Sequence, residues 1–166
     1  MKQLLLIATI GIGLFSCTSQ AVKKENENLA IAQKYMKAVE TKNAATMDSL
    51  LANNYIGYGP SVGDSINKKD AIDNFKYNAE NLYESFEYTR HKNIAVTVKE
   101  GEAIGDWVLT WAYLTLKYKD GRGPVNVWVN VVYRIENGKI ILSRTFYNEA
   151  DVLRQLGYSM EPPAVN

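Results

Sequence analysis

The sequence predicts an α+β domain in which N-terminal helices pack on one face of an antiparallel sheet. Two observations carry this prediction. Between residues 29 and 82, apolar side chains recur mainly at the spacing of amphipathic helices. After Phe86, β-branched and aromatic residues form runs that are separated by turn residues, which is the pattern of strands. Helices followed by a strand meander are typical of the α+β class.

Three helices are expected ahead of the meander. The first covers residues 29–39, the second covers residues 44–52, and the third follows residue 67 and presents its last apolar side chain at Leu82. Each is preceded by an asparagine, whose side chain can accept a hydrogen bond from a free backbone N–H of the first turn. The expected caps are Asn28, Asn43 and Asn67.

Strands and one short helix complete the domain. The strands are expected over Tyr55–Tyr58, His91–Val98, Asp106–Tyr118, Val125–Ile135 and Lys139–Tyr147, and a terminal helix over Asp151–Leu156. Asn137-Gly138 is a strong signal for a two-residue hairpin, because both central positions of that turn need a positive φ.

The N-terminus has the pattern of a secretory signal. Lys2 precedes an apolar run, Leu4–Leu14, that is too short to span a bilayer. Leu14-Phe15-Ser16-Cys17 resembles a bacterial lipobox, so residues 1–16 are expected to be removed and Cys17 to carry lipid. An uncleaved anchor and an ordinary secretory signal are the alternatives.

The rest of the chain divides accordingly. Residues 17–27 are polar and are expected to form a tether, followed by the domain at 28–158 and a tail at 159–166. We therefore expect a lipid-anchored protein of the bacterial cell envelope, at the outer membrane on its periplasmic or surface side.

Composition limits the classes of partner. Removal of residues 1–16 takes away Lys2 and no acidic residue, so the 19 basic residues of the chain fall to parity with its 18 acidic ones. A neutral chain without a basic stripe is not expected to bind nucleic acid. The sequence has no zinc-ligand spacing and its single histidine cannot build a metal site alone, so no metal and no cofactor are expected. The 11 tyrosines and 3 tryptophans are candidates for a pocket as well as a core.

The order of elements, the Gly138-Lys139-Ile140 turn and the Asp151…Gln155-Leu156-Gly157 ending resemble the SnoaL-like branch of the nuclear transport factor 2-like superfamily. The resemblance covers residues 29–158. It implies a cone-shaped fold, with the helices packed on a curved sheet and a pocket at the open end. Members of the superfamily include isomerases, cyclases, dehydratases, epoxide hydrolases and binding proteins, so the fold alone does not select an activity.

The ketosteroid isomerases of that superfamily allow a comparison by position. Tyr35 resembles their oxyanion-binding tyrosine, and Asn130 stands where they have a second, protonated acidic donor. Gly59, just before Pro60, stands where they have the aspartate that acts as general base. The resemblance thus implies a pocket that keeps donors and lacks the base, which disfavours proton transfer.

A tight Asn137-Gly138 hairpin would place Asn130 opposite Thr145 and Trp128 opposite Tyr147. The other face of the sheet would carry the apolar side chains Val127, Val129, Val131 and Phe146. Simple alternation puts the valine face on the helices. The resemblance instead puts Asn130 in the cone and makes the valine face a homodimer interface, and this is the arrangement we expect.

Three functions remain open at this point. The first is a lipid-anchored domain that binds a small, partly apolar molecule. The second is an isomerase, cyclase or dehydratase in which His91, Asp64 or Asp106 replaces the missing base. The third is a protein-interacting dimer whose cone is filled by side chains. The expected ligand-binding residues are Tyr35, Tyr55, Trp128, Asn130, Thr145 and Tyr147.

Overall fold

A computed structural model describes residues 10–159 and 161. Within them the chain forms four helices and six strands. The helices are α1 (Ile10–Glu40), α2 (Ala44–Leu50), α3 (Lys68–Asn81) and α4 (Glu149–Gln155). The strands are β1 (Leu51–Tyr58), β2 (Ser65–Asn67), β3 (Tyr83–Val98), β4 (Gly105–Tyr118), β5 (Val125–Glu136) and β6 (Lys139–Tyr147). The α+β class is therefore confirmed.

All six strands belong to one sheet, in the order β2-β1-β6-β5-β4-β3. Neighbouring strands are antiparallel except β1 and β6, which pair in parallel, so the sheet is mixed rather than purely antiparallel. β3 begins at Tyr83, earlier than the expected His91, and β2 was not expected at all. Asn67 is both the last residue of β2 and the N-cap of α3. β2 is therefore only three residues long, because α3 begins at the next residue.

Two of the three expected caps are confirmed. The Asn43 side chain accepts a hydrogen bond from the Thr46 amide, and the Asn67 side chain accepts one from the Asp70 amide. Asn28 is not a cap, because α1 already begins at Ile10 and Asn28 lies buried within the helix.

Residues 17–27, expected to form a polar tether, lie within the helix α1. Their charges have partners that stabilise this conformation: Lys23 pairs with Glu27 one turn away, and Lys24 Nζ lies 2.6 Å from the Asp106 carboxylate at the start of β4. The last turns of the polar segment are thus attached to the sheet.

The valine face of β5 is the core of the domain. Val125, Val127, Val129, Val131, Tyr133 and Ile135 are all buried. Val129, Val131, Tyr133 and Ile135 share a core cluster with Ala32 and Met36 of α1, whereas Val125 belongs to a smaller cluster with Leu116 and Tyr118. The expectation that the valines form a dimer interface is wrong, and simple alternation predicted the faces correctly. The reason is that the helices need an apolar surface to bury their own apolar stripe.

A β-bulge in β6 explains the second error. The tight turn is confirmed, since Glu136 pairs with Lys139 and both Asn137 and Gly138 have positive φ. Ile135 pairs with Ile140 but Arg134 pairs with Leu142, which leaves one extra residue on β6. Beyond it the register is shifted by one, so Asn130 lies opposite Phe146 instead of Thr145. The same shift turns Thr145 towards the helices.

Candidate functional site

A cavity of about 460 Å³ lies between the inner face of the sheet and the helices α1 and α3. Its lining has no acidic, basic or histidine side chain among the described residues. The polar lining residues are Tyr35, Tyr55, Tyr58, Tyr83, Tyr88, Tyr118, Tyr133, Tyr147, Asn74, Asn78, Ser143 and Thr145. The cavity also contradicts the hypothesis of a cone filled by side chains.

Four tyrosines meet in the buried part of the cavity, and we call them the phenol cluster: Tyr35 of α1, Tyr55 of β1, Tyr88 of β3 and Tyr133 of β5. The rings of Tyr35 and Tyr133 are edge-to-face, with centroids 5.8 Å apart. The hydroxyls of Tyr55 and Ser143 form a buried hydrogen bond of 2.6 Å. Each phenol comes from a different element, so the cluster exists only in the folded domain.

Three hydroxyls of the phenol cluster face the cavity without a protein partner. Among the described residues, Tyr35, Tyr88 and Tyr133 make no side-chain hydrogen bond, whereas Tyr55 bonds Ser143. In the described part of the chain, every fully buried side-chain nitrogen or oxygen atom has a hydrogen-bond partner. The three hydroxyls must therefore be in contact with the open space, where they are free to donate to a bound molecule.

The phenols are neutral donors at physiological pH. Burial raises the pKa of Tyr35 and of Tyr133 well above the usual range, and the neighbouring phenols raise it further. Burial also raises the pKa of Tyr88 to about 12, with a smaller contribution from the nearby Glu40 carboxylate. That carboxylate accepts the backbone N–H of Tyr88 at 2.9 Å and so fixes the position of the residue on β3.

Aromatic rings form a second wall of the cavity, which we call the aromatic wall. Tyr83 packs against Phe86 and Tyr118, with ring centroids 4.9 and 5.0 Å apart, and Phe75 of α3 lies 6.1 Å from Phe86. These rings continue into the smaller core cluster around Val125. The cavity thus has a part with free hydroxyls and a part with apolar ring surface.

The loop between β1 and β2 forms one edge of the cavity. Gly59 and Pro60 line the cavity, and the Gly59 amide donates to the Asp64 carbonyl oxygen at 3.4 Å. A Cβ on Gly59 would lie 2.9 Å from the Asp64 Oδ2 atom. The Asp64 carboxylate therefore occupies the space beside Gly59, although it is exposed and does not line the cavity.

Four of the expected ligand-binding residues line the cavity: Tyr35, Tyr55, Thr145 and Tyr147. The other two lie on the opposite face of the sheet. Trp128 is 57 % exposed, and the Asn130 amide donates to the Thr110 carbonyl oxygen at 3.1 Å. The expectation that Asn130 and Trp128 sit inside the cone is therefore wrong, because β5 turns its odd-numbered residues inward.

Two candidates for a relocated base lie outside the cavity. His91 is exposed on β3 beside a register shift of the β3–β4 pair. Burial raises the pKa of the Asp106 carboxyl, but the hydrogen bonds that it accepts from Lys24 and, at 2.6 Å, from the Thr97 hydroxyl outweigh burial and hold the pKa below the usual range. Of the three candidates, only Asp64 is next to the site.

Sequence reasoning missed Tyr88, Tyr133 and Ser143. Tyr133 has the same parity on β5 as the valines, so placing those valines inside would have included it. Tyr88 precedes His91, the residue at which the sequence predicts that this strand begins, whereas β3 begins at Tyr83. Ser143 required knowledge of the bulge in β6, which the sequence does not signal.

Two further observations concern metal binding and membrane spans. Among the described residues, no group of three or more His, Cys, Asp or Glu side chains is arranged to hold a metal ion. In the same part of the chain, no helix has both the length and the apolar character needed to cross a bilayer.

Comparisons with known proteins agree with this architecture. The family model of the SnoaL-like domain matches residues 32–142. No curated protein matches the chain significantly. An epoxide hydrolase of the LEH-like kind from M. tuberculosis is similar in structure, with a TM-score of 0.64 at 19 % identity over 80 % of this chain and 91 % of that one.

Two other solved structures have the same fold. A hypothetical protein from Catenulispora acidiphila with a ketosteroid isomerase-like fold, in complex with trimethylamine, has a TM-score of 0.62 at 17 % identity over 80 % of this chain and 97 % of that one. IdmH, a candidate polyketide cyclase from Streptomyces antibioticus, has a TM-score of 0.60 at 16 % identity over 78 % of this chain and 97 % of that one. At these identities, the similarity is one of fold.

Proposed function

This chain belongs to the SnoaL-like domain family, and we propose that it binds a small, partly apolar molecule in the cavity without transforming it. The observation that carries the proposal is the uncharged lining among the described residues. Free hydroxyls and aromatic rings are typical of ligand sites, in which a few polar groups orient a molecule that is mostly held by apolar contacts.

The lining argues against acid–base catalysis. A general base must be within hydrogen-bond reach of the proton that it removes, and its pKa should lie near the working pH. Burial raises the pKa of Tyr88 to about 12 and the pKa values of Tyr35 and Tyr133 well above the usual range, so these three phenols keep their protons at the working pH. They can donate hydrogen bonds but cannot accept a proton in the ground state.

The binding proposal is tested by narrowing the cavity. Ala71 lines the cavity from α3, and Ala71→Phe should reduce the available space, whereas Ala45→Phe on the exposed surface of α2 should not. We expect small molecules that co-purify with the natural chain, detected by native mass spectrometry, to be lost from Ala71→Phe and retained by Ala45→Phe. Equal retention by two folded variants would contradict binding in this cavity.

An enzyme of the isomerase, cyclase or dehydratase kind is the second candidate, and the position of Asp64 favours it. Its carboxylate lies beside Gly59 at the edge of the cavity. Solved relatives of the fold are described as an epoxide hydrolase and a candidate polyketide cyclase. If Asp64 moves a proton, Asp64→Asn should abolish turnover of any substrate while leaving its affinity nearly unchanged.

We also propose that the mature chain is anchored through lipid on Cys17 in the bacterial cell envelope. The support is the lipobox-like sequence that ends at Cys17 and the short apolar run before it. Acyl chains stabilise membrane binding by about 0.8 kcal/mol per buried methylene. Cells grown with a fatty-acid analogue should label the natural chain and not Cys17→Ser, which should also leave the membrane fraction. Unchanged labelling of Cys17→Ser would contradict the proposal.

A homodimer remains our proposal, but through the outer face of the sheet. With the valines in the core, the large exposed apolar side chains on the outer face of the sheet are Ile94, Val96, Trp111, Trp128 and Phe146, and we call them the outer patch. Contiguous exposed patches of this kind mark interaction sites. A two-fold axis through the patch would bury it against its own copy.

A further inference from the structure

The helix α1 runs along the β3–β4 hairpin, and a lysine contact near each end of the hairpin fixes its path. Lys24 Nζ lies 2.6 Å from the Asp106 carboxylate, beside the turn that joins β3 to β4. Just after the helix ends, Lys42 Nζ donates to the Tyr83 carbonyl oxygen at 2.8 Å, where β3 begins. We call the end of the sheet at the β3–β4 turn, residues 99–104, the turn end, and the end at Tyr83 the cavity end.

The cavity lies away from the turn end. The residues of the β3–β4 hairpin that line it are Tyr83, Phe86, Tyr88, Leu114, Leu116 and Tyr118. All of them belong to the first half of β3 or the last half of β4, and no residue from 94 to 110 lines the cavity. Along β4, Asp106 and Leu114 are separated by about 26 Å of strand. The ion pair of Lys24 is therefore far from the cavity.

The exposed part of the cavity lining also lies towards the cavity end. Ile135 pairs with Asp106, which places the β5–β6 turn at the turn end. Tyr147, the last residue of β6, is consequently at the other end of that strand. Its side chain lines the cavity and is 37 % exposed. A ligand would enter from this side.

We propose that lipid on Cys17 holds the turn end of the domain against the bilayer surface and leaves the cavity end facing the aqueous phase. This inference rests on the proposed lipid anchor and adds the orientation of the anchored domain. The cavity would then exchange its ligand with the aqueous compartment and not with the lipid of the bilayer.

The connection between Cys17 and the sheet is short. Seven residues lead from Cys17 to Lys24, and in a helix they span about 10 Å. The strand from Asp106 to Tyr118 is roughly 40 Å long by comparison. Because Lys24 is paired with Asp106, a bilayer that holds the lipid lies close to the turn end and far from the cavity end.

The turn end carries apolar side chains that a bilayer surface would cover. Val22 is 50 % exposed and Ile104 is 53 % exposed, and each is two residues from a member of the ion pair that joins α1 to β4. Apolar surface that leaves water for lipid stabilises the contact. The turn itself has charges of both signs, from Lys99, Glu100 and Glu102. The lipid and the apolar contacts, rather than net charge, would therefore hold this end at the surface.

Fluorescent labels at two matched positions test the orientation. Cys17 is the only cysteine of the chain, and the proposed lipid occupies its thiol, so an introduced cysteine is the single reactive thiol. Glu102→Cys allows a label at the turn end and Glu84→Cys a label at the cavity end, and both replace an exposed glutamate. The lipidated mature chain is reconstituted into vesicles of phosphatidylethanolamine and phosphatidylglycerol, which include a lipid with a nitroxide on its headgroup.

The nitroxide quenches a fluorescent label only at short range, so the loss of fluorescence reports which end of the domain is near the headgroups. We expect the label at residue 102 to lose most of its fluorescence and the label at residue 84 to keep it. Vesicles without the nitroxide lipid provide the reference intensity for each label.

A linker variant shows whether the short connection is responsible. A flexible Gly-Ser linker inserted between Ser19 and Gln20 lengthens the connection and leaves the ion pair between Lys24 and Asp106 in place. We expect the label at residue 102 to escape quenching in this variant. The matched control has the same linker after Glu161, in the tail, and should be quenched like the natural chain.

The outcomes separate this inference from the proposal of a lipid anchor. Vesicle flotation is measured first, and a mature chain that does not float with the vesicles contradicts the anchor itself. If the chain floats but the label at residue 84 is quenched as much as the label at residue 102, or more, the proposed orientation is overturned. Quenching at residue 102 that persists in the linker variant would overturn the short connection as its cause.

Discussion

At the scale of single residues, Gly57 makes room for the phenol of Tyr55. A Cβ at this position would lie 2.5 Å from the Tyr55 hydroxyl oxygen and 3.1 Å from a methyl group of Ile66. Glycine normally weakens a strand because it has no side chain to pack. In β1 the loss is offset by the buried Tyr55–Ser143 hydrogen bond that the missing side chain permits.

We predict that Gly57→Ala destabilises the domain by roughly 1–3 kcal/mol, because the Tyr55 phenol must leave Ser143 or the strand must shift. The measurement is the free energy of unfolding in urea. The change in the Tyr55→Phe background is the control, since the conflicting oxygen is then absent. If Gly57→Ala is equally destabilising in both backgrounds, the hydroxyl is not the cause.

The free energy of unfolding should fall at alkaline pH, because the buried phenols keep protons that the unfolded chain loses. Burial raises the pKa of Tyr88 from 10.0 to about 12 in the folded state. Above pH 10 the unfolded chain loses this proton while the folded chain keeps it, so the unfolded state is favoured as the pH rises. The contribution of Tyr88 is complete below pH 10 and is lost progressively towards pH 12.

The corresponding prediction compares two variants. Tyr88→Phe should flatten the fall in unfolding free energy between about pH 10 and pH 12, whereas Tyr77→Phe, which removes an exposed phenol, should follow the natural chain. The measurement is the urea midpoint at each pH. An identical pH dependence for Tyr88→Phe and the natural chain would show that Tyr88 titrates normally.

At the scale of elements, the strands show what local sequence can and cannot predict. The hairpin turn at Asn137-Gly138 was predictable because positive φ restricts residue choice. The bulge that follows was not, because β6 carries no glycine or proline to mark it. One extra residue then reversed the expected facing of every later residue on β6.

The inward face of β5 was predicted wrongly for a different reason. Alternation put the valines on the helices, whereas the resemblance to the ketosteroid isomerases put Asn130 in the cone, and the arrangement that we expected followed the resemblance. Four expected site residues lie in the cavity. The positions of Tyr35 and Tyr55 depend on α1 and β1 and not on the facing of β5, and the bulge turns Thr145 and Tyr147 inward. Asn130 depended on the facing of β5 and lies outside.

The facing of β5 can be tested with one substitution on each side. Val129 is 5 % exposed, so Val129→Lys would bury a charge without a partner and should destabilise the domain by more than about 3 kcal/mol. Asn130→Lys, the neighbouring residue on the outer face, should have a much smaller effect. Thermal unfolding checks both. A folded and stable Val129→Lys would mean that the valines are exposed.

At the scale of the whole molecule, the sheet separates two surfaces of different character. Its inner face and the helices enclose the cavity, where polar groups are neutral phenols, amides and hydroxyls. Its outer face carries the outer patch, with Trp128 in edge-to-face contact with Tyr113 at 5.4 Å and Arg90 over the Tyr113 ring. A side chain substituted on one of these surfaces therefore makes no direct contact with the other surface.

This separation leads to a prediction about assembly. Trp128 is 57 % exposed within the outer patch, and Trp128→Lys should place a charge in an interface between two copies. We expect the natural domain to elute as a dimer and Trp128→Lys as a folded monomer, with the mass measured by light scattering. The matched control is Val62→Lys, since Val62 is fully exposed at the β1–β2 loop, away from the sheet face.

Ligand binding provides the internal check on that experiment. Because Trp128 does not line the cavity, a monomeric Trp128→Lys should retain the small molecules that co-purify with the natural chain, as detected by native mass spectrometry. Loss of both dimer and ligand would indicate that the substitution has disturbed the sheet itself, and circular dichroism would then show reduced strand content. A dimer that persists in a folded Trp128→Lys would contradict assembly through the outer patch.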